Sequence, residues 1–397
     1  MNTSSSAKTL GFVDSAESLH EAARKEVGFD DFGDPAYLEG FRVLMEAYDR
    51  ESRITPTGRA MVQAQLLGIL KNRLVAQKAW KENPAILRTE IRRPIFVLGL
   101  ARTGTTALHH LLGQDPNSQV LEYWLAAAPS PRPPREQWEG DPRYQRAVQE
   151  LDWMYKTDPS LKAVHLMTAD GPDECRHLLL QNFTDDTFDC NATIPSYSEW
   201  YEHYDMLATY ARHRDLLKLI GSTSPERRWL LKYPAHMGNL RAIFKIYPDA
   251  CIVQTHRDPS KVMPSICSLV AGWRALYEDN VDRRAVAKWL LDLWATRLER
   301  GLEVRREQNP KQFFDLHLRE ILSNPVGAVK RVYDHFGIEM TPEAEQRFHA
   351  WKDENPRGKY GEHHYRAEDF GFTDDVIADR FGTYMKHFQI EREGSKT

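Results

Sequence analysis

Ile95-Phe-Val-Leu-Gly-Leu-Ala-Arg-Thr-Gly-Thr-Thr-Ala-Leu-His-His-Leu-Leu112 is the stretch that decides the fold. Its apolar run Ile95–Leu98 has the length of a buried strand and is too short for a buried helix. Gly99 ends the run, Ala101-Arg102-Thr103-Gly104 turns, and a helix restarts with Leu108, Leu111 and Leu112 on one side. In such a strand–loop–helix unit the loop's backbone N–H groups converge on an anion, and the helix N-terminus adds partial positive charge. Gly99 and Gly104 are spaced as the glycines of a Walker A loop, G-x-x-x-x-G, yet Thr105-Thr106 stands where that motif has Lys and then Ser or Thr. A phosphate cradle is therefore expected without the lysine of ATP and GTP enzymes. Arg102 supplies positive charge from inside the loop instead.

Working outward, the 397-residue chain can bury one large α/β core or two smaller ones. Its 41% hydrophobic and 28% charged content is that of a globular protein. A net charge of −4 gives no reason to expect a nucleic-acid partner, so a polyanionic ligand would need a local basic pocket. Cys175, Cys190, Cys251 and Cys267 form no C-x-x-C pair. Reduced thiols are expected rather than disulfides or zinc, and no metal cofactor. Met1–Gly11 lacks the apolar stretch of a secretory signal, and no run approaches the ~18–20 apolar residues of a membrane helix. A cytoplasmic location is expected.

Residues 1–90 read as an N-terminal helical cap. Ser15 or Ser18 is placed to cap a helix over Leu19–Val27. Asp34-Pro35 opens a second helix carrying Leu38, Phe41, Leu44, Met45 and Tyr48. A third runs from Met61 to Trp80. Residues 91–397 read as one α/β domain. Gln119–Trp124 is expected to be a short strand bearing Glu122. The aromatic-rich segment 160–225, in which nothing has metal-ligand spacing, is expected to cover an acceptor. Two further apolar runs, Trp229–Lys232 and Ala250–Thr255, alternate with helices, and Phe313–Leu316 adds another. Strand–helix alternation of this kind gives parallel strands with crossover connections, hence a P-loop-like central parallel sheet flanked by helices. Ligands collect at the C-terminal ends of such strands, where Arg102, Lys232 and Arg257 all fall. Three converging cations cost Coulomb energy unless an anion joins them.

The loop sequence Leu98-Gly-Leu-Ala-Arg-Thr-Gly-Thr-Thr106, with Arg257 just past the later strand Ala250–Thr255 and Ser265 eight residues on in the helix that follows it, resembles the sulfotransferases that use 3′-phosphoadenosine-5′-phosphosulfate (PAPS). An Arg in the loop is closer to their tyrosylprotein and bacterial branch than to the cytosolic branch, which carries Lys. The resemblance spans about residues 93–375 and implies a role for each motif. Arg102, Thr103, Gly104, Thr105 and Thr106 would hold the 5′-phosphosulfate, with Arg102 also acting on the transferring group. Arg257 and Ser265 would hold the 3′-phosphate, and Arg357-Gly358-Lys359 would add to it, although their order departs from the family's R-K-G. Lys232, in Lys232-Tyr-Pro-Ala-His236, would assist the leaving phosphate. Glu122 is expected to be the base that deprotonates an acceptor hydroxyl, ahead of His236.

The implied reaction moves a sulfuryl group to a hydroxyl of a small molecule or lipid and leaves 3′,5′-ADP. Phenol, steroid, lipid and carbohydrate acceptors all stay open. Two other readings compete. A P-loop kinase of small molecules lacks its lysine at Thr105, and its candidate Walker B strand ends Thr-His-Arg257 rather than in Asp. A nucleotide-binding protein without catalysis would keep the anion sites and no working base.

Overall fold

Strand β1 (Ile95–Gly99) is buried at every residue and forms the middle of a five-stranded parallel sheet. The structure, a computed structural model, describes residues 11–157, 167–356 and 366–394. Around β1 lie β2 (Ser118–Gln119), β3 (Arg228–Lys232), β4 (Cys251–His256) and β5 (Phe313–His317), in the order β2-β3-β1-β4-β5. The chain first builds toward one edge through β2 and β3, then returns across β1 to add β4 and β5. The order in which strands are added therefore reverses beside β1, where open α/β sheets bind their ligands.

Register places three strand ends together. Val97 pairs with Lys232 of β3, and Gly99 pairs with Thr255 of β4. Neighbouring strands run about 4.8 Å apart, so the segments that follow Gly99, Lys232 and Thr255 leave the sheet side by side.

Alternation along β1 divides the interior in two. Phe96 and Leu98 join a core that includes Phe41, Leu44 and Leu70 of the N-terminal helices. Ile95 and Val97 face the other way, onto Leu108 and Leu111 and onto Val329 and Phe336 of the helix Pro325–Phe336. Both faces are thus covered, which is why the strands read as continuous apolar runs.

The N-terminal helices are α1 (Ala16–Val27), α2 (Tyr37–Glu51) and α3 (Pro56–Glu82). Thr55 starts α3 by accepting a hydrogen bond from Gly58 N–H at 2.9 Å, with Pro56 in the first turn. Ser15 precedes α1 but makes no side-chain cap; its hydroxyl donates to the Phe12 carbonyl instead. No helix among the described residues is long and apolar enough to cross a membrane.

The expected strand over Gln119–Trp124 is the main departure. Only Ser118 and Gln119 pair with β3, and Glu122 stands at the start of a short helix, Tyr123–Ala127. The backbone beyond Gln119 pairs elsewhere: Tyr123 and Trp124 N–H donate to the Gly171 and Ala169 carbonyls, each at 3.1 Å. A segment distant in sequence takes the partner role that a sheet neighbour would have had.

The close join of β1 and β4 is testable. Gly99 sits at φ +131°, and a Cβ there would lie 2.5 Å from the Thr255 carbonyl oxygen. Gly99→Ala is expected to destabilise the fold by about 1–3 kcal/mol in urea titration. Gly68→Ala, in α3 with open space around its Cα, is expected to raise stability by up to ~1 kcal/mol.

Candidate functional site

The loop after β1 is fastened from below. Thr103 is fully buried; its hydroxyl donates to the Leu100 carbonyl (2.6 Å) and meets the Thr255 hydroxyl at 2.5 Å. Its side chain thus ties the loop to β4 and does not line the cavity above. Arg102 has left-handed backbone (φ +68°) and Gly104 is at φ +92°, so the loop curls tightly before α4 (Thr105–Leu112) begins. This curl presents Arg102, Gly104, Thr105 and Thr106 to a cavity of about 1320 Å³ over the C-terminal ends of the strands. A second recess of about 470 Å³ shares Arg102 and Arg257 with it and adds Lys261, Ser265 and Arg366.

Lys232 and Arg257 line the same cavity as the loop. Each is met by a carboxylate that has no counterpart in the motifs. The Lys232 ammonium donates to Glu174 Oε1 at 2.6 Å, with only 3% of its side chain exposed. Arg257 makes a two-pronged contact to Glu393 at 2.9 and 3.0 Å, on the open side of the site. Glu393 N–H in turn donates to Asp258, the residue that caps the helix Pro259–Arg274. Ser265 lies in that helix, buried beside the recess that Arg257 shares.

Glu174 belongs to the turn Gly171-Pro172-Asp173-Glu174, stitched in from two sides. Asp173 N–H donates to the Leu121 carbonyl at 2.7 Å, and Cys175 N–H donates to the Lys232 carbonyl at 3.0 Å. The turn thereby bridges the end of β3 and the segment before the helix Tyr123–Ala127. A Gly-Pro pair ahead of two acidic residues is its only mark in the sequence.

The two residues expected to compete as base lie elsewhere. Glu122 is 7% exposed, does not line the cavity, and is held by the Arg132 guanidinium at 3.0 and 3.2 Å. Burial raises its pKa above the usual carboxylate range, and Arg132 opposes that rise. The same guanidinium binds the Gln119 side chain and the Val120 carbonyl, so the pair buttresses the edge of the sheet. His236 is fully buried behind β1 with its Nδ1 2.6 Å from the Tyr210 hydroxyl. Burial holds its pKa well below the ordinary histidine value, and it is absent from the cavity wall. Arg357, Gly358 and Lys359 lie outside the described residues; Arg366 occupies the recess from the same part of the chain.

Away from the cations the cavity turns apolar. Leu269, Val270 and Trp273 of the helix Pro259–Arg274 face it, with Trp289, Leu293 and Trp294 of the helix Arg283–Glu307. In each helix the residues recur at three- and four-residue spacing, so each presents one apolar stripe. A polar floor at the strand ends and an apolar wall between two helices suit a charged ligand joined to a hydrophobic one.

A parallel sheet with an anion loop and three strand-end cations defines a nucleotide-dependent group-transfer fold, and the chain belongs to the sulfotransferase family, which residues 94–342 match. It is similar to the solved sulfotransferase STF1 from Mycobacterium tuberculosis H37Rv, at 37% identity and a TM-score of 0.85 over 94% of this chain and 100% of that one. The sulfotransferase STF9 from Mycobacterium avium is 27% identical, with a TM-score of 0.88 over 96% of this chain and 98% of that one. The omega-hydroxy-beta-dihydromenaquinone-9 sulfotransferase Stf3 of Mycobacterium bovis is 26% identical over 275 residues, or 62% of this chain. The chain spans 63% of the length of that relative.

The buried Glu122–Arg132 pair yields a direct expectation. Glu122→Gln leaves a buried guanidinium without its counter-charge, which costs about 3 kcal/mol. Chemical denaturation is expected to show that loss while kcat stays close to the parent value. A collapse of kcat with stability unchanged would return Glu122 to the chemistry.

Proposed function

We propose that the chain transfers a sulfuryl group from PAPS to the hydroxyl of an apolar acceptor, with Glu174 as general base. The observation that carries this reading is the Lys232–Glu174 pair, 2.6 Å apart in a cavity that also holds the anion loop and Arg257. A loop with Arg102 in place of the Walker A lysine favours a phosphosulfate over a nucleoside triphosphate, and it fits the Arg-containing branch of the family. Curved backbone at Arg102–Gly104 and the hydroxyls of Thr105 and Thr106 take the 5′-phosphosulfate; Arg257 and Ser265, with Arg366, take the 3′-phosphate. The two-pronged guanidinium geometry suits a phosphate as well as it suits the carboxylate of Glu393.

In this mechanism the acceptor oxygen attacks sulfur as the bond from sulfur to the bridging phosphate oxygen breaks. Glu174 receives the hydroxyl proton, and the electron pair of the broken bond stays on the leaving 3′,5′-ADP. Lys232 and Arg102 stabilise the charge that gathers on the bridging oxygen and the leaving phosphate. Positioning and electrostatics supply most of the rate, as in phosphoryl transfer. Lys232 has a double duty: its ammonium, 2.6 Å from Glu174 Oε1, holds the carboxylate in place, and beside the donor it meets the leaving group. The Trp273 and Trp289 wall favours an acceptor whose hydroxyl sits on a long apolar body. Stf3, named for a hydroxylated menaquinone, is a relative with an acceptor of that kind.

Thermal denaturation with 3′,5′-ADP at a hundred times its Kd is expected to show about 2.7 kcal/mol of stabilisation, with a smaller effect from ATP and Mg²⁺. Stabilisation by ATP and Mg²⁺ alone would favour a kinase. Arg257→Ala is expected to weaken 3′,5′-ADP binding by roughly tenfold or more, whereas Glu393→Gln strengthens it by up to about fivefold, both read by calorimetry.

Sulfate transfer from labelled PAPS to a long-chain alcohol tests the base. Glu174→Gln is expected to lower kcat by ~10²–10⁴ with little change in 3′,5′-ADP affinity. Full turnover in that variant would remove Glu174 from the mechanism.

A further inference from the structure

Directly behind the Lys232–Glu174 pair, three side chains from three separate elements meet in the interior. Cys175 precedes the short helix Arg176–Leu179, His213 lies within the helix Leu207–Ile220, and His236 lies in the turn Pro234–Asn239. Each is fully buried, and one ligand atom from each lies within 4.8 Å of the other two. The Phe96 ring closes one side, with its centroid 5.2 Å from the His236 ring and 6.5 Å from that of His213.

The hydrogen bonding of the two imidazoles is half complete. His213 Nδ1 is 2.8 Å from the Tyr247 hydroxyl, and His236 Nδ1 is 2.6 Å from the Tyr210 hydroxyl. Nε2 of both rings is buried with no hydrogen-bond partner. A neutral imidazole has one N–H and one lone pair. The tautomer in which each Nδ1–H is donated to its tyrosine oxygen leaves each Nε2 with an unused lone pair in the core. Orphaned buried polar atoms are destabilising. Two such nitrogens beside a thiol form a donor set that a borderline-soft cation satisfies.

We propose that Cys175, His213 and His236 bind one zinc ion. Ligand atoms around tetrahedral zinc are roughly 3.3–3.8 Å apart given its bond lengths, so side-chain rotations of about an ångström close the set. Binding converts the Cys175 thiol to thiolate and releases its proton to solvent. One of the four tetrahedral positions is left for a ligand other than these three. Tyr210 and Tyr247 fix the ring orientations from outside, the part usually played by carboxylates or carbonyls behind metal-bound histidines. No sequence motif announces the set, because its members are held together only by the tertiary fold.

The location gives the ion its role. Cys175 is the residue after Glu174, and its N–H holds the Lys232 carbonyl; His236 is four residues beyond Lys232. Zinc here clamps the two backbone segments that carry the pair without touching donor or acceptor. Its residues act as positioning residues, and the site does not depend on which donor the cavity takes.

The experiment is metal analysis of the full-length chain, produced in zinc-supplemented medium and purified without chelator. The expected result is about one zinc per chain, an X-ray absorption spectrum with a mixed nitrogen and sulfur shell, and a lower Tm after chelation that added zinc restores. Cobalt added to chelated protein is expected to give a thiolate charge-transfer band that is lost in Cys175→Ala and His213→Ala. A chain that arrives metal-free and takes up neither zinc nor cobalt overturns the proposal. So does a shell of oxygen and nitrogen only, a different metal in the site, or full retention of zinc in both variants. If the variants do not fold, the parent protein's metal content and absorption spectrum decide the matter alone.

Discussion

Charge neutralisation at the strand ends is the constraint on which the site depends. Parallel pairing of β1 with β3 and β4 brings Arg102, Lys232 and Arg257 to one cavity over the strand ends, and like charges gathered there repel. Glu174 answers Lys232, and Glu393 answers Arg257. The two pairs differ in kind. Lys232 and Glu174 are almost withdrawn from solvent, so their attraction is weakly screened and their geometry fixed. Arg257 and Glu393 are open to water, where such a pair is worth ~0.2–1 kcal/mol and gives way readily to a stronger anion. The buried pair is suited to chemistry and the exposed pair to exchange.

Much of the architecture was legible because it is written locally. Ile95–Leu98, Trp229–Lys232 and Ala250–Thr255 are largely apolar runs of strand length between helices, and a parallel sheet with crossovers follows from that order. The helices Pro342–Glu354 and Pro325–Phe336 begin at Thr-Pro and Asn-Pro pairs, whose capping chemistry is local too. The strand expected at Gln119–Trp124 failed because its backbone partners, Ala169 and Gly171, lie more than forty residues on. That failure also displaced Glu122. Read as part of an exposed strand end, it would face the ligand; as the residue just before a helix, paired with Arg132, it is buried away from the cavity.

Glu174 went unread for the same reason. Its nearness to Lys232 is made by hydrogen bonds between main chains that are remote in sequence, and no side-chain pattern encodes them. Glu393 reaches Arg257 across 136 residues. The cations were visible because they follow strands at motif spacings; the carboxylates that answer them belong to turns and a terminal segment. The division into a helical cap and an α/β domain likewise describes the sequence more simply than the interior does, since Phe96 and Leu98 of β1 share one core with α2 and α3.

Arg102 adopts backbone angles that a side chain occupies only at a cost of about 1–2 kcal/mol, while glycine would adopt them freely. Directed evolution that rewarded heat resistance alone would therefore favour glycine at this position and discard the guanidinium. Libraries screened for stability alone would drift toward tougher proteins without this charge at the cavity. The conformational tension in this one loop residue sets thermal robustness against keeping a guanidinium at the cavity.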